Sequence, residues 1–381
     1  MTRHYGMDWL RIAAFALLIL YHIGMVFVPW NFHVKSPNGE DWTRLPMMAT
    51  NAWRLPLLFV VSGYATRALI RRSDGLGAFL ANRSWRLLVP LAFGIAVIVP
   101  PQPWVELVTK RGYAHDFLYF WAYDYFRFGK LGGIVLPTWN HLWFIGYLWV
   151  YTLGLALLVA IVRGEWLQRW FDRAFGGWGV IVIPMAWALA VHAWWFPMAG
   201  ETHMLIDDTM AHFMYVPYFL FGFGLARSAP AMAALRRLWP VAAAIALAGF
   251  ATVLLIEYSW PPDVPTPRWV LRPYGAAHAL QQWGAIAALL GVADRWLNRD
   301  GPARTMLTEA VFPFYIIHQT IIVLVMFWLL PRGLSGPAQF AILVVATVAG
   351  CWAFYLGGRA MPFARPLIGL RPRSEMKGQM R

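Results

Sequence analysis

Charge is what this sequence lacks. Only 13% of its 381 residues are Asp, Glu, Lys or Arg, about half the share of a soluble globular domain. With 60% hydrophobic residues gathered in recurrent runs of roughly 18–25, that scarcity excludes an ordinary soluble enzyme and predicts an all-α polytopic membrane protein. Cysteine is nearly absent too. Cys351, the single one, lies in an apolar run and excludes an intramolecular disulfide and any cysteine-based metal cluster. Acidic residues number 18 against 32 basic, for a net charge of +14. The basic residues form no single patch but recur in short clusters between apolar runs, so the lipid bilayer and not nucleic acid is the expected partner. No internal repeat is visible, which removes the inverted-repeat signature of many secondary transporters. A cleavable signal is not expected, because the first apolar run is too long and no small-x-small site precedes Pro29-Trp30.

What is present reads as ten spans, near 8–29, 48–70, 86–104, 140–162, 178–198, 209–227, 239–258, 275–293, 306–330 and 337–360. The eighth is the weakest, interrupted by Gln281 and Gln282. With the amino terminus inside, 22 of the 32 Lys and Arg fall on the cytoplasmic side, including Arg67, Arg71, Arg72, Arg169, Arg173, Arg236, Arg237 and those from Arg359 to Arg381. That bias predicts both termini in the cytoplasm. Residues 361–381 read as a basic, solvated tail. The outer loop 105–139 carries Tyr113, Tyr119, Trp121, Tyr123, Tyr125 and Trp139. Such aromatics fit an interfacial belt first and a platform for a sugar ring second.

The first span places Arg11 and His22 in an apolar helix. Eleven residues at about 100° each come to three turns plus about 20°, so both side chains share one face, about 16 Å apart along the axis. Ionisable groups are costly inside a bilayer and mark function there. A neutral imidazole at His22 can accept a proton from a hydroxyl or attack an acyl carbonyl itself. Of ten histidines only His4 falls on the cytoplasmic side; His22 and His318 map near mid-membrane and the rest outward. None has the close spacing to carboxylates of a zinc site, so no metal is expected.

Four further stretches carry polar groups. Arg83 and Arg86 share a helix face at the cytoplasmic mouth of the third span, where two guanidinium forks suit phosphate or act as positive-inside anchors. Ser62-Gly63 in FVVSGY favours close helix packing, and no GxSxG elbow surrounds Ser62. His141 in HLWF and His318 in FPFYIIH either line a pocket or bridge helices. Asp8, Ser62, His141 and His318 are the candidate pocket residues.

Together these stretches resemble the acyltransferase-3 family of integral membrane acyltransferases. The Arg11/His22 spacing, the Arg83-x-x-Arg86 pair, FVVSGY at 59–64, HLWF at 141–144 and FYIIHQ at 314–319 follow in the family's order. RHYGMDWLRI at 3–12, the VPW-x-FHVK run at 28–35 and VPPQ at 99–102 look most like a branch that succinylates osmoregulated periplasmic glucans. The resemblance implies acyl-CoA as cytoplasmic donor substrate, with no further cofactor, and an extracytoplasmic glycan hydroxyl as acceptor, in a bacterial inner membrane. It implies His22 as general base or acyl carrier, Arg83 and Arg86 at the CoA phosphates, and Arg11 between them and His22. The competing reading is a transporter or flippase with Arg11 and His22 on a substrate or proton pathway.

Overall fold

A computed structural model describes residues 4–39, 41–162, 164–192, 200–261 and 264–372. It is almost wholly helical. In chain order the main helices are α1 Tyr5–Gly24, α2 Arg44–Arg71, α3 Leu76–Phe93, α4 Pro101–Arg111, α5 Trp143–Ile161, α6 Trp166–Phe175, α7 Gly179–Ala190, α8 Thr209–Leu225, α9 Ala229–Ser259, α10 Arg268–Trp296, α11 Arg304–Leu329, α12 Gly336–Ala360 and α13 Ala364–Leu367. A short antiparallel hairpin pairs β1 Gly129–Leu131 with β2 Ile134–Leu136. Caps follow local chemistry. The Asp208 carboxylate accepts from Ala211 N to start α8, and Ser228 Oγ accepts from Ala231 N to start α9. Gly112 supplies the left-handed residue, φ 66°, that ends α4.

Among the described residues six helical segments are long and apolar enough to cross a membrane: Tyr5–Gly24, Leu76–Arg111, Asn140–Ile161, Ala229–Ser259, Arg304–Arg332 and Gly336–Ala360. The α6 and α7 pair, bent by 91°, makes a seventh if it is one span. Residues 193–198 of the expected fifth span lie outside the described residues. The other three expected spans are also helices, but α8 has only 17 residues, and α2 and α10, with 28 and 29, carry polar side chains that dilute their apolar runs. In α10 those include Gln281 and Gln282, both buried, with the amide nitrogen of each matched to main-chain oxygens. Gln281 Nε2 donates to Met48 O and Ala49 O, while Gln282 Nε2 donates to Ala52 O and its Oε1 accepts from Tyr218 OH. The glutamines do not break the helix; they fasten it.

The chain forms two compact units. The first comprises residues 1–14, 48–80 and 150–304. Small residues let its backbones approach. A Cβ on Gly63 would sit 1.9 Å from Phe219 O, and one on Gly222 would sit 1.9 Å from Val60 O, so α2 and α8 are in backbone contact where the FVVSGY stretch lies. Likewise Gly249 of α9 meets Gln281 N, and Gly284 of α10 meets Ala246 N. The packing role expected for Ser62-Gly63 is therefore realised at Gly63.

The second unit comprises residues 15–47, 81–149 and 305–381. Between α3 and α4 the helix widens into a π turn, Gly94–Ile98. The cause is in the sequence: Pro100, Pro101 and Pro103 have no N–H, so they cannot serve Ile95 O, Ala96 O and Ile98 O in the widened pattern. Three side chains do so instead. Tyr125 OH donates to Ile95 O (2.8 Å), Trp121 Nε1 to Ala96 O (2.8 Å) and Thr320 Oγ1 to Ile98 O (2.7 Å). The stretch 105–139, expected as an outer loop, holds the end of α4, a second π turn and the hairpin.

The expectation of a solvated tail from residue 361 is corrected for residues 361–372. α13 is followed by Ile368 and Leu370, which pack with Ala310 and Tyr355. Arg365 is 3% exposed, and its guanidinium donates to Arg359 O and Arg371 O. Alternating basic and apolar residues hid this docking in a composition-based reading.

Gly63→Val forces α2 and α8 apart. Overpacking of this kind costs about 1–3 kcal/mol, so the detergent-solubilised variant is expected to melt several degrees below the native protein in a thermal-shift assay, with Gly222→Val behaving alike.

Candidate functional site

His22 lies two residues from the end of α1, and His318 lies in α11. In the second unit they meet. His22 Nδ1 and His318 Nε2 are 2.8 Å apart, with ring centroids 5.0 Å apart and planes at 25°. The other nitrogen of His318 fixes the direction of this bond. Its Nδ1 faces two main-chain oxygens, Tyr315 O at 2.7 Å and Phe314 O at 3.2 Å. Carbonyls only accept, so Nδ1 carries the proton and Nε2 of a neutral His318 is an acceptor. His22 Nδ1 must then be the donor. Its basic lone pair is on Nε2. Phe32 stacks on His22 at 6.4 Å between centroids, 15° between planes.

A second set of polar groups surrounds α11 one residue further along. His141 Nε2 donates to Ile316 O (3.0 Å), leaving Nδ1 to accept from Gln102 Nε2 at 3.5 Å. Gln102 Nε2 also donates to Thr320 Oγ1 (2.8 Å), and its Oε1 accepts from Asn140 Nδ2 and Gln319 Nε2, each at 2.9 Å. Gln319 Nε2 additionally reaches His33 Nε2 (3.1 Å), and His33 Nδ1 donates to Glu106 Oε2 at 2.6 Å. Every donor in this chain finds an acceptor of the correct sense, which is what an apolar interior demands. Gln102, His141, His318, Gln319 and Thr320 are all buried. Adjacent residues of α11 thus hold two histidines: His318 holds His22, and Gln319 holds His33.

The loop after α1 is fixed by lysines. Lys35 Nζ donates to Met25 O, Val28 O and Trp30 O, the last at 3.1 Å. It thereby caps carbonyls that trail α1 with a positive charge. Lys110 Nζ donates to Phe32 O and Asn31 Oδ1 and pairs with Glu106. Burial, and then the charge of Lys110, pulls the Lys35 ammonium from 10.5 down to about 8.

The site residues expected from sequence distribute as follows. His22, His141 and His318 come together in the second unit: the His141 and His318 rings are 5.0 Å apart, edge to face. Arg83 and Arg86 belong to the same unit, half-buried on α3, while Ser84 between them accepts from Trp149 Nε1 (2.9 Å). Arg11 sits on α1 with His22 but is counted in the first unit, as are Asp8 and Ser62. Asp8 is paired with Arg304 Nη1 at 2.8 Å, and Arg304 also binds Asp300. Asp8 thereby ties the first turn of α1 to the first residue of α11. Ser62 O accepts from Thr66 Oγ1 (2.8 Å), a local bond within α2.

Sequence reasoning did not single out Gln102, Gln319, Thr320, His33 or Glu106 as site residues. The signal was available in part, since VPPQ, FHVK and FYIIHQ contain three of the five, Gln102, His33 and Gln319. Among the described residues no group of three or more His, Cys, Asp or Glu is arranged to hold a metal ion.

Residues 4–356 match the family model described as Acyltransferase domain, and the chain belongs to this acyltransferase family. It is similar to Glucans biosynthesis protein C of Escherichia coli K12, with 27% identity over 150 residues, covering 39% of this chain and 37% of the relative. The proteins of that name from strains O6:K15:H31 and O139:H28 match to the same extent. The matched stretch is thus well under half of the length of these curated relatives. No solved structure matches.

The depressed Lys35 sets a pH dependence. The unfolded chain keeps this proton up to about 10.5 and the folded chain only up to about 8, so between those values the unfolded state binds more protons. The Lys35 contribution therefore favours folding increasingly as pH rises from 8 to 10.5. Across that window the melting temperature of the native protein should rise with pH relative to that of Lys35→Met; parallel curves, or a relative fall, would remove the effect.

Proposed function

We propose that this chain is a membrane O-acyltransferase that moves an acyl group, succinyl or acetyl, from cytoplasmic acyl-CoA to hydroxyls of an extracytoplasmic glycan. Ten spans with both termini in the cytoplasm of a bacterial inner membrane complete the reading. The observation that carries it is the His22–His318 contact at 2.8 Å, a half-buried imidazole held by a fully buried one, in a chain that belongs to an acyltransferase family. The printed name of the similar Escherichia coli proteins, Glucans biosynthesis protein C, supports a glucan as acceptor.

The chemistry follows from the nitrogen assigned to the base. The acceptor hydroxyl oxygen attacks the thioester carbonyl carbon while its proton passes to His22 Nε2. The carbonyl electron pair moves onto oxygen, giving an oxyanion; for Arg11, about 16 Å from His22 along the helix axis, a phosphate, a succinyl carboxylate and an oxyanion are the proposed partners. Collapse expels the CoA thiolate, which takes the proton back from His22. In the acyl-carrier variant the same nitrogen attacks first and CoA leaves as the thiolate; the acceptor hydroxyl oxygen then attacks the acyl-imidazolium carbonyl, the C–N bond breaks, and the hydroxyl proton passes through His22 Nε2 to neutralise the thiolate. Arg83 and Arg86, one turn apart, are the proposed phosphate forks for CoA.

Purified protein incubated with labelled acyl-CoA and a glucan should release CoA only when acceptor is present. His22→Ala is expected to lower kcat by at least about 10²–10⁴-fold, the usual worth of general-base catalysis; normal turnover would remove His22 from the mechanism. Arg83→Ala with Arg86→Ala should weaken acyl-CoA binding by roughly tenfold or more, as loss of charge-assisted bonds worth about 1.5–3 kcal/mol implies, while unchanged affinity would leave these residues as membrane anchors. Mass spectrometry of the cell's glycans with and without the gene names the group transferred, and identical spectra would refute glycan acylation.

A further inference from the structure

The geometry points to His318 as a positioning residue that selects the tautomer of His22. The proposal deepens the acyl-transfer reading and rests on it. An isolated neutral imidazole exchanges its proton between Nδ1 and Nε2, and only the form with the lone pair on the nitrogen facing the substrate acts as a base there. In serine hydrolases the partner that fixes the form is a carboxylate. Here it is a second imidazole, itself fixed by the main chain.

The chain of constraint has three links. Tyr315 O and Phe314 O, at 2.7 and 3.2 Å, oblige His318 to protonate Nδ1. His318, with 0% exposure, has no water to relax that choice, so its Nε2 accepts. His22 Nδ1 at 2.8 Å must then donate, which puts the reactive lone pair on Nε2. Tilting constraints back this up. Tyr315 lies against the His318 ring at 5.9 Å and the His141 ring lies edge-on to it at 5.0 Å, while His141 is itself pinned to Ile316 O. One turn of α11 backbone, Phe314 to Ile316, thereby orients both rings. When His22 gains a proton at Nε2, its Nδ1–H bond to His318 strengthens, and the dipoles of the two carbonyls behind His318 are already aligned to spread the new charge.

A readout independent of turnover tests this. Long-range proton–nitrogen correlation spectra of ¹⁵N-histidine-labelled protein in detergent, with the His22 signals assigned by their loss in His22→Gln, should show His22 with its proton on Nδ1. A resting His22 with its proton on Nε2 overturns the proposal, whatever any variant does. In kinetics, His318→Leu is expected to lower kcat by about 10²-fold or more with KM for acyl-CoA changed less than about twofold, since a misoriented base costs rate and not donor binding. His318→Gln, whose amide oxygen reaches the place of Nε2 and can accept from His22, should recover most of that loss. A His318→Leu enzyme of native kcat, or a folded His318→Gln enzyme as slow as His318→Leu, refutes the positioning role. If His318→Leu does not fold, the tautomer of the native protein decides. A protein that has the Nδ1–H form of His22 yet transfers no acyl group overturns the acyl-transfer reading and leaves the pairing standing.

Discussion

Every carbonyl that a proline deprives of its helical donor must be given another one, and much of the second unit is arranged around that requirement. Pro100, Pro101 and Pro103 leave three such oxygens at the π turn, and Tyr125, Trp121 and Thr320 supply the hydrogens. An unmatched carbonyl in a water-poor interior costs several kcal/mol, so the three bonds are obligations more than embellishments. Thr320 is the junction. Having given its own hydrogen to Ile98 O, its oxygen is left to accept from Gln102. That choice orients the Gln102 amide, which in turn orients Asn140, Gln319 and His141. A break in helix geometry after α3 thus reaches the Nδ1 side of His141, whose tautomer Ile316 O fixes from the Nε2 side.

The same logic gives the histidines their roles without any appeal to ionisation. Three main-chain oxygens on one turn of α11, Phe314 to Ile316, accept from His318 and His141. These oxygens also belong to the helix ladder, so the imidazoles share acceptors with backbone amides and need no polar partner of their own. That arrangement lets two rings be buried at 0% and 7% exposure with no charge nearby. Glu106, the acidic member of the network, is kept at its far end, between His33 and Lys110.

The helical plan was legible in the sequence because it depends on runs of apolar residues, and every expected span falls on a helix within the described residues. The count of spans by length and composition was less legible, for a reason visible in α10. Gln281 and Gln282 look like interruptions until their partners Met48 O, Ala49 O, Ala52 O and Tyr218 are known, more than sixty positions away in each case. The docked segment 361–372 escaped similarly: Arg365 reads as a tail charge, but its guanidinium is satisfied by main-chain oxygens. The site divides the same way. Arg11 and His22 stand out by a spacing within one helix, whereas Gln102, Gln319 and Thr320 matter through bonds spanning 217 to 222 positions. Periodicity reports what one helix presents; it carries no record of what faces it.

A neutral imidazole is a suitable orienter for a base buried among apolar helices, and a carboxylate in its place would be a poor one. Opposite charges in a low-dielectric interior bind strongly but are costly to desolvate. A carboxylate against His22 would also fix its tautomer, as in serine hydrolases, but would place a net charge in this interior at rest, at a desolvation cost. An imidazole acceptor holds the ring just as firmly by geometry yet leaves the resting pair uncharged. Under the proposed acyl transfer, the positive charge would arise only while a proton is in transit, as the oxyanion of opposite sign develops. On that proposal the second histidine would let a hydroxyl be activated in a site poor in charge, by chemistry that does not call on the acidic residues scarce in the sequence.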